Sequence, residues 1–121
     1  MCRVLKIERL ETGAVTVLRL DGDIDEEGMN HLRLSLAHCI QDQRCNLVVN
    51  LEAVKFVSYM GVGVLVERLR QVRAYRGDMK LTGVNLYTER LFRMVGVTKV
   101  FETFRNEQQA VQAYCARERA A

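Results

Sequence analysis

The sequence contains no proline, no low-complexity stretch and no internal repeat. Flexible linkers between domains are commonly rich in such residues, so nothing within the 121 residues marks a domain boundary. A chain of this length with 49% apolar residues is the right size for one compact domain with a real core. We therefore predict a single domain over residues 1–121, with its core at about residues 3–115.

Long apolar runs are also missing from the sequence. No segment approaches the roughly 20 consecutive apolar residues that a membrane-spanning helix needs. The first residues, Met1 to Val4, lack the apolar run of a signal peptide. We expect a cytoplasmic protein without direct membrane insertion.

The spacing of cysteine and histidine does not match a metal site. The two histidines, His31 and His38, lie seven residues apart on a predicted helix and lack partners at recognisable spacing. The cysteines show no CxxC pattern, which argues against a zinc site or a disulfide framework and favours reduced thiols. These are Cys2, Cys39, Cys45 and Cys115. We predict no cofactor.

The charge is modest, with a formal net value of +3. Nucleic-acid binding requires a denser basic patch, so we predict no nucleic-acid partner. The acids cluster at residues 21–27, and we interpret the bases on a later helix and its exit as a solvated basic face. Those bases are Arg68, Arg70, Arg73, Arg76 and Lys80.

Hydrophobic periodicity predicts the secondary structure. The pattern indicates a hairpin of Arg3 to Leu10 and Ala14 to Leu20, a helix at about 26–43 and a strand at Leu47 to Leu51. A second helix begins beside Ser58 and ends near Gly77, where we expect the glycine to be left-handed. The pattern next predicts a strand at Met79 to Val84 and a helix at Thr88 to Val95 that is closed by Gly96. It then predicts a short strand at Val100 to Phe104 and a terminal helix capped by Asn106 and Gln109. The order ββαβαβαβα predicts an α/β fold with a mixed sheet and four helices.

Two familiar ligand motifs begin in this sequence and fail. Asp21-x-Asp23-x-Asp25 starts like a calcium loop, but Glu26 and Leu32 occupy the positions that require glycine and glutamate. We instead expect a turn that leads into an acid-rich helix N-terminus.

Gly61-x-Gly63-x-x-Val66 lacks the third glycine of a dinucleotide fingerprint, so we expect small residues that let the helix lie close to the sheet. Ser58 has no histidine partner nearby in the sequence. We therefore predict a protein that is not an enzyme.

The most informative segment runs from the apolar strand at Leu47 through a short turn into the helix beside Ser58. The first turn of a helix has unpaired N–H groups that point outward toward a ligand or partner. Ser58, Tyr59 and Met60 are presented there, with Met60 either turned into the core or exposed.

This segment resembles the STAS domain, the fold of bacterial anti-sigma factor antagonists, whose signature here is Phe-x-Asp-Ser-Ser-Gly-Leu followed by a helix. Phe56 and Gly61 match that signature. The resemblance extends over nearly the whole chain, from an element with Leu20, Gly22, Ile24 and Asp25 to the helix that ends near Gly96. It implies a STAS-type fold.

The resemblance also implies a function by binding. In the family, an unphosphorylated module captures an anti-sigma serine kinase of the histidine-kinase-like ATPase fold, and phosphorylation of the second signature serine releases it. That serine falls on Met60, which cannot accept phosphate, so Ser58 and Tyr59 are the alternative acceptors. The implied partner-binding residues are Asp23, Asp25, Ser58, Tyr59, Met60, Gly61 and Val62.

Other roles and partners remain open at this point. A serine phosphatase is a further partner of such modules, and a homodimer is an alternative. The alternative functions are a subunit of a lipid-transport ABC system and a scaffold within a signalling assembly.

Overall fold

A computed structural model describes the backbone of residues 3–120 and the side chains of residues 3–116, so Cys2 lies outside the described residues. The predicted order ββαβαβαβα and the mixed sheet are confirmed. The strands are β1 (Lys6–Thr12), β2 (Val15–Ile24), β3 (Asn46–Val57), β4 (Asp78–Thr82) and β5 (Glu102–Phe104). The helices are α1 (Glu26–Gln41), α2 (Tyr59–Ala74), α3 (Leu86–Val95) and α4 (Glu107–Ala120).

The five strands form one sheet in the order β1-β2-β3-β4-β5. β1 pairs antiparallel to β2 through the hairpin, and the other neighbouring pairs are parallel. Parallel neighbours require crossover connections, which α1, α2 and α3 provide. The carboxyl ends of β2, β3 and β4 therefore share one edge of the sheet, and the N-termini of these three helices follow there.

The two faces of the sheet bury different helices. On β3, the alternating residues Leu47 and Val49 belong to the larger core with α1, α2 and α3, whereas Val48 faces the other way. Val48 packs in a smaller core with residues of β2 and α4. Tyr114 of α4 is buried there, and its hydroxyl donates to the carbonyl of Leu47 at 2.6 Å.

Some predicted boundaries and one predicted cap were wrong. β3 continues to Val57, and β2 includes the residues expected to form a turn before α1. The left-handed residue after α2 is Arg76, with φ of 65°, rather than Gly77. Gly77 is needed for a different reason, because a Cβ atom there would lie 2.0 Å from the carbonyl oxygen of Cys45. The left-handed Gly96 after α3 is confirmed, with φ of 78°.

Lys80 does not belong to the solvated basic face that we predicted for it. Its side chain is buried on the α4 face of β4, where Nζ lies 3.0 Å from Asp78 and 2.7 Å from Glu102. Nζ also lies 4.6 Å from the centroid of the Tyr114 ring. Two carboxylates and an aromatic face thus replace water around this cation.

The first turn of α4 is fastened to the sheet by an ion pair. Glu107 accepts hydrogen bonds from Arg19 at 2.8 and 2.9 Å and from Asn50 at 2.6 Å. The guanidinium of Arg19 is the main cause that lowers the pKa of the Glu107 carboxyl. The charged carboxylate therefore stabilises the docking of α4.

The substitution Glu107→Gln is expected to lower the free energy of unfolding at about pH 7 and to have a smaller effect on it in acid. Because the folded pKa is lowered, the contribution of the carboxylate is present above the unfolded pKa and is lost as pH falls through the folded value. The urea midpoints of the wild type and of Glu107→Gln, measured between about pH 7 and pH 3, should differ at neutral pH and converge in acid. Glu67→Gln, on the exposed face of α2, is the control; an equal gap in both variants would contradict this role for Glu107.

The start of α2 lies unusually close to β2. A Cβ atom on Gly61 would lie 2.8 Å from Cγ2 of Ile24, whose side chain is fully buried and cannot move aside. Gly63, two residues further along α2 and exposed, has no atom within 4 Å of such a Cβ. The predicted close approach of helix and sheet therefore depends on Gly61 and not on Gly63.

Two alanine variants separate these glycines. Gly61→Ala is expected to destabilise the fold by about 1–3 kcal/mol through overpacking. Gly63→Ala should stabilise it by about 0.5–1 kcal/mol, because alanine loses less backbone entropy in a helix. Urea denaturation measures both values, and the same sign of change in the two variants would be inconsistent with this packing.

Candidate functional site

Ser58 holds the junction between β3 and α2 in place. Its extended backbone makes it the N-cap of α2, and its Oγ accepts a hydrogen bond from the N–H of Gly61 at 3.0 Å. Its own N–H donates to the carbonyl of Ile24, at the end of β2, at 2.8 Å. A serine serves well as an N-cap because its side-chain oxygen satisfies one donor of the first turn. Ser58 is half-buried, and its side-chain oxygen has a structural role.

Tyr59 and Met60, the first two residues of α2, extend into solvent. Their side chains are 67% and 68% exposed, so Met60 points outward rather than into the core. The first turn of α2 contains no acidic residue to compensate the positive end of the helix dipole. The site is therefore a pair of large, exposed side chains on a positively polarised helix end.

The acids predicted at this site have local partners. Asp25 is the N-cap of α1, and its Oδ1 accepts from the N–H of Gly28 at 2.9 Å. Asp23 accepts from the N–H of Arg3 at 3.0 Å and so fastens the N-terminal segment to β2. Because Ile24 and Val57 are paired, Asp25 follows β2 beside the start of α2. Partner contact through either acid stays a prediction.

Three exposed apolar residues at the end of β3 and the start of α3, on the same edge of the sheet as the start of α2, were not included in the predicted site. Phe56, near the end of β3, stacks on Tyr87 of α3 with ring centroids 6.4 Å apart. Leu86, which precedes Tyr87 in α3, is 72% exposed. Asn85 caps α3, and its Nδ2 donates to the carbonyl of Val54 at 3.2 Å, which fixes α3 against β3. We call Phe56, Tyr59, Met60, Leu86 and Tyr87 the apolar patch. Exposure of a strand phenylalanine is a tertiary property, so periodicity gave no signal for it.

A groove of about 430 Å³ runs beside the patch, between α2 and the residues at the end of α3. Tyr59 stands at one end of it, and Val62, Val66, Val95 and Val97 line it. Val62 is only 2% exposed, so it lies at the bottom, while Gly61 is buried against Ile24 and stays beneath the surface. Contact of a partner with Gly61 or Val62 stays a prediction.

The remaining chemistry of the described residues is limited. No three metal-ligating side chains come together within residues 3–116. The Nδ1 atom of His31 lies 3.1 Å from the carbonyl oxygen of Leu5. Within the part of the chain that the structure describes, none of the helices has the length and apolar character to span a membrane.

Comparisons with known proteins agree with this geometry. The STAS domain model matches residues 6–110. An anti-sigma F factor antagonist of Paenibacillus polymyxa is 29% identical over 108 residues, which cover 88% of this chain and 92% of that protein. One of Lysinibacillus sphaericus is 26% identical over 87 residues, or 71% of this chain and 74% of the relative.

The fold is similar to that of a solved relative. The anti-sigma factor antagonist SpoIIAA in its unphosphorylated form aligns with a TM-score of 0.79 at 21% identity. The alignment covers 93% of this chain and 97% of SpoIIAA. With a family match over most of its residues and the same fold, the chain belongs to the STAS domain family.

Proposed function

We propose that this protein is a non-catalytic binding module that acts as an anti-sigma factor antagonist by partner switching. The names of its sequence relatives support this role. The observation that carries it is the exposed pair Tyr59 and Met60 at the start of α2, held by the Ser58 cap and the Gly61 contact. Large apolar side chains on a rigid support are suited to protein recognition.

The partner in this proposal is an anti-sigma factor, specifically a serine kinase of the histidine-kinase-like ATPase fold. The apolar patch supplies the contact area, and the neighbouring groove accepts apolar side chains from the partner. A serine phosphatase is the second proposed partner.

Regulation differs from the family pattern in this proposal. Met60 stands at the position of the phosphorylated serine, and a thioether cannot accept phosphate. Phosphorylation of Ser58 would place a negatively charged group at the N-cap of α2, on the oxygen that accepts from the N–H of Gly61. Because Met60 cannot be phosphorylated, the module stays in its binding-competent state. Tyr59, which is more exposed than the half-buried Ser58, is the alternative acceptor.

The first experiment is affinity capture of the tagged protein from its own cells, followed by mass spectrometry. Recovery of an anti-sigma serine kinase supports partner switching. Recovery of a transporter ATPase instead would contradict it and move the protein to lipid transport.

Met60→Asp is expected to weaken binding of the captured kinase by about tenfold or more, because the new carboxylate is desolvated at the interface without a partner. Isothermal titration calorimetry gives the affinity. Leu34→Asp is the matched control, since Leu34 is also exposed, at 60%, but lies on α1. Equal affinities for the wild-type protein and the Met60 variant would show that the start of α2 is not the interface.

Incubation with the kinase and ATP should leave the mass of the protein unchanged. Intact-mass spectrometry followed by peptide mapping measures this directly, and a phosphorylatable relative from the same family serves as the positive control. A phosphate on Ser58 or Tyr59 would overturn the constitutive mode while leaving the binding function in place.

A further inference from the structure

The opposite face of the sheet contains a second candidate site. α4 packs on Val15, Val17 and Val48, early in β2 and β3, and the next residues along this face are polar and lie outside that apolar contact. Arg19, Asn50 and Thr82 contribute side chains from three adjacent strands to a cavity of about 460 Å³. The first turn of α4 forms its other side. This cavity and the apolar patch lie on different faces of the sheet.

Thr82 is the residue in this cavity that the fold alone does not explain. It is the last residue of β4 and 1% exposed, yet its Oγ1 is buried without a hydrogen-bond partner among the described residues. An unsatisfied buried hydroxyl destabilises a protein, whereas valine has nearly the same shape without the polar atom. The hydroxyl therefore indicates a group that binds at this position.

The start of α4 adds donors to the same cavity. Asn106 Oδ1 accepts from the N–H of Gln109 at 2.9 Å, and the N–H of Ala110 bonds to the Asn106 carbonyl at 3.3 Å. The N–H groups of Glu107 and Gln108 are then the uncapped donors of the first turn. A helix of this length, 14 residues, presents a positive end to the cavity.

The charges that line the cavity are partly neutralised already. The Glu107 carboxylate is occupied by Arg19 and Asn50, while Arg105 forms no ion pair among the described residues. Arg105 is thus the available cation. The exposed Glu52 also lines the cavity, and its negative charge opposes the binding of an anion, most strongly of an extended polyanion.

We propose that this cavity binds a phosphate-type anion through the Thr82 hydroxyl, the Arg105 guanidinium and the first-turn N–H groups of α4. These groups are all donors, and charge-assisted hydrogen bonds of this kind are the strong ones. Free inorganic phosphate and a small phosphate monoester share the required chemistry.

Amide chemical shifts of the ¹⁵N-labelled protein test the proposal. Titration with inorganic phosphate, and separately with glycerol phosphate, is carried out at constant ionic strength against sodium chloride. Saturable shifts are expected at Thr82, Gly83, Glu107 and Gln108 with phosphate and not with chloride. Saturation by the monoester alone would assign the ligand as a phosphorylated metabolite, and saturation by free phosphate alone would assign inorganic phosphate. Linear shifts, equal in chloride, would overturn the site.

Variants connect the shifts to the named residues. Thr82→Val and Arg105→Gln are each expected to weaken phosphate binding by about tenfold, the loss typical of a hydrogen bond to a charged group. Thr82→Ser should retain binding because it keeps the hydroxyl. Thr103→Val on β5 and Arg90→Gln on α3, both exposed, are the matched controls. Unchanged affinity in Thr82→Val would contradict the proposal.

Stability without phosphate provides an independent measurement. Thr82→Val should unfold at a higher urea concentration than the wild-type protein, because it removes the unpaired hydroxyl. Added phosphate should then raise the urea midpoint of the wild type and of Thr82→Ser, but not that of Thr82→Val. A Thr82→Val protein that is less stable than the wild type would show that the hydroxyl has a structural role and overturn its assignment to a ligand.

Discussion

The parallel pairing of β2 with β3 ends at Ile24 and Val57, and the N–H of Ser58 then donates to the carbonyl of Ile24. This contact connects two residues 34 positions apart and sets where α2 begins. Gly61 packs on the Ile24 side chain one turn later, so the same residue of β2 supports the helix end twice. The exposure of Tyr59 and Met60 is a consequence of this support, since the residues on either side of them are held against the sheet.

The order of elements was predictable because each element has its own hydrophobic period. The continuous apolar run that begins at Leu47 and the apolar residues at helical spacing after Ser58 are strong local patterns. Together they predicted the position of the candidate site. The resemblance to a known family then connected that position with partner binding. The caps at Ser58 and Asn106 follow from side-chain chemistry that acts within a few residues, and the Gly96 cap follows from the left-handed conformation that glycine adopts without strain.

Properties that depend on distant neighbours could not be predicted. Lys80 reads as a surface base, yet α4, about 30 residues later, covers it and supplies the Tyr114 ring. Phe56 lay outside the predicted strand, yet it belongs to β3, is 42% exposed and stacks on Tyr87. Thr82 is an ordinary strand threonine in the sequence, and its unpaired hydroxyl is visible only once β4 and α4 are in place. In each case the missing information is which element packs over the residue.

The Ile24 support has a consequence for when the apolar patch exists at all. Because Ser58 and Gly61 depend on a strand formed much earlier in the chain, α2 cannot adopt its native start until β2 and β3 have paired. The exposed residues thus depend on contacts between segments that lie far apart in the sequence. A partner that recognises Tyr59 and Met60 therefore binds only chains in which β2 has already paired with β3.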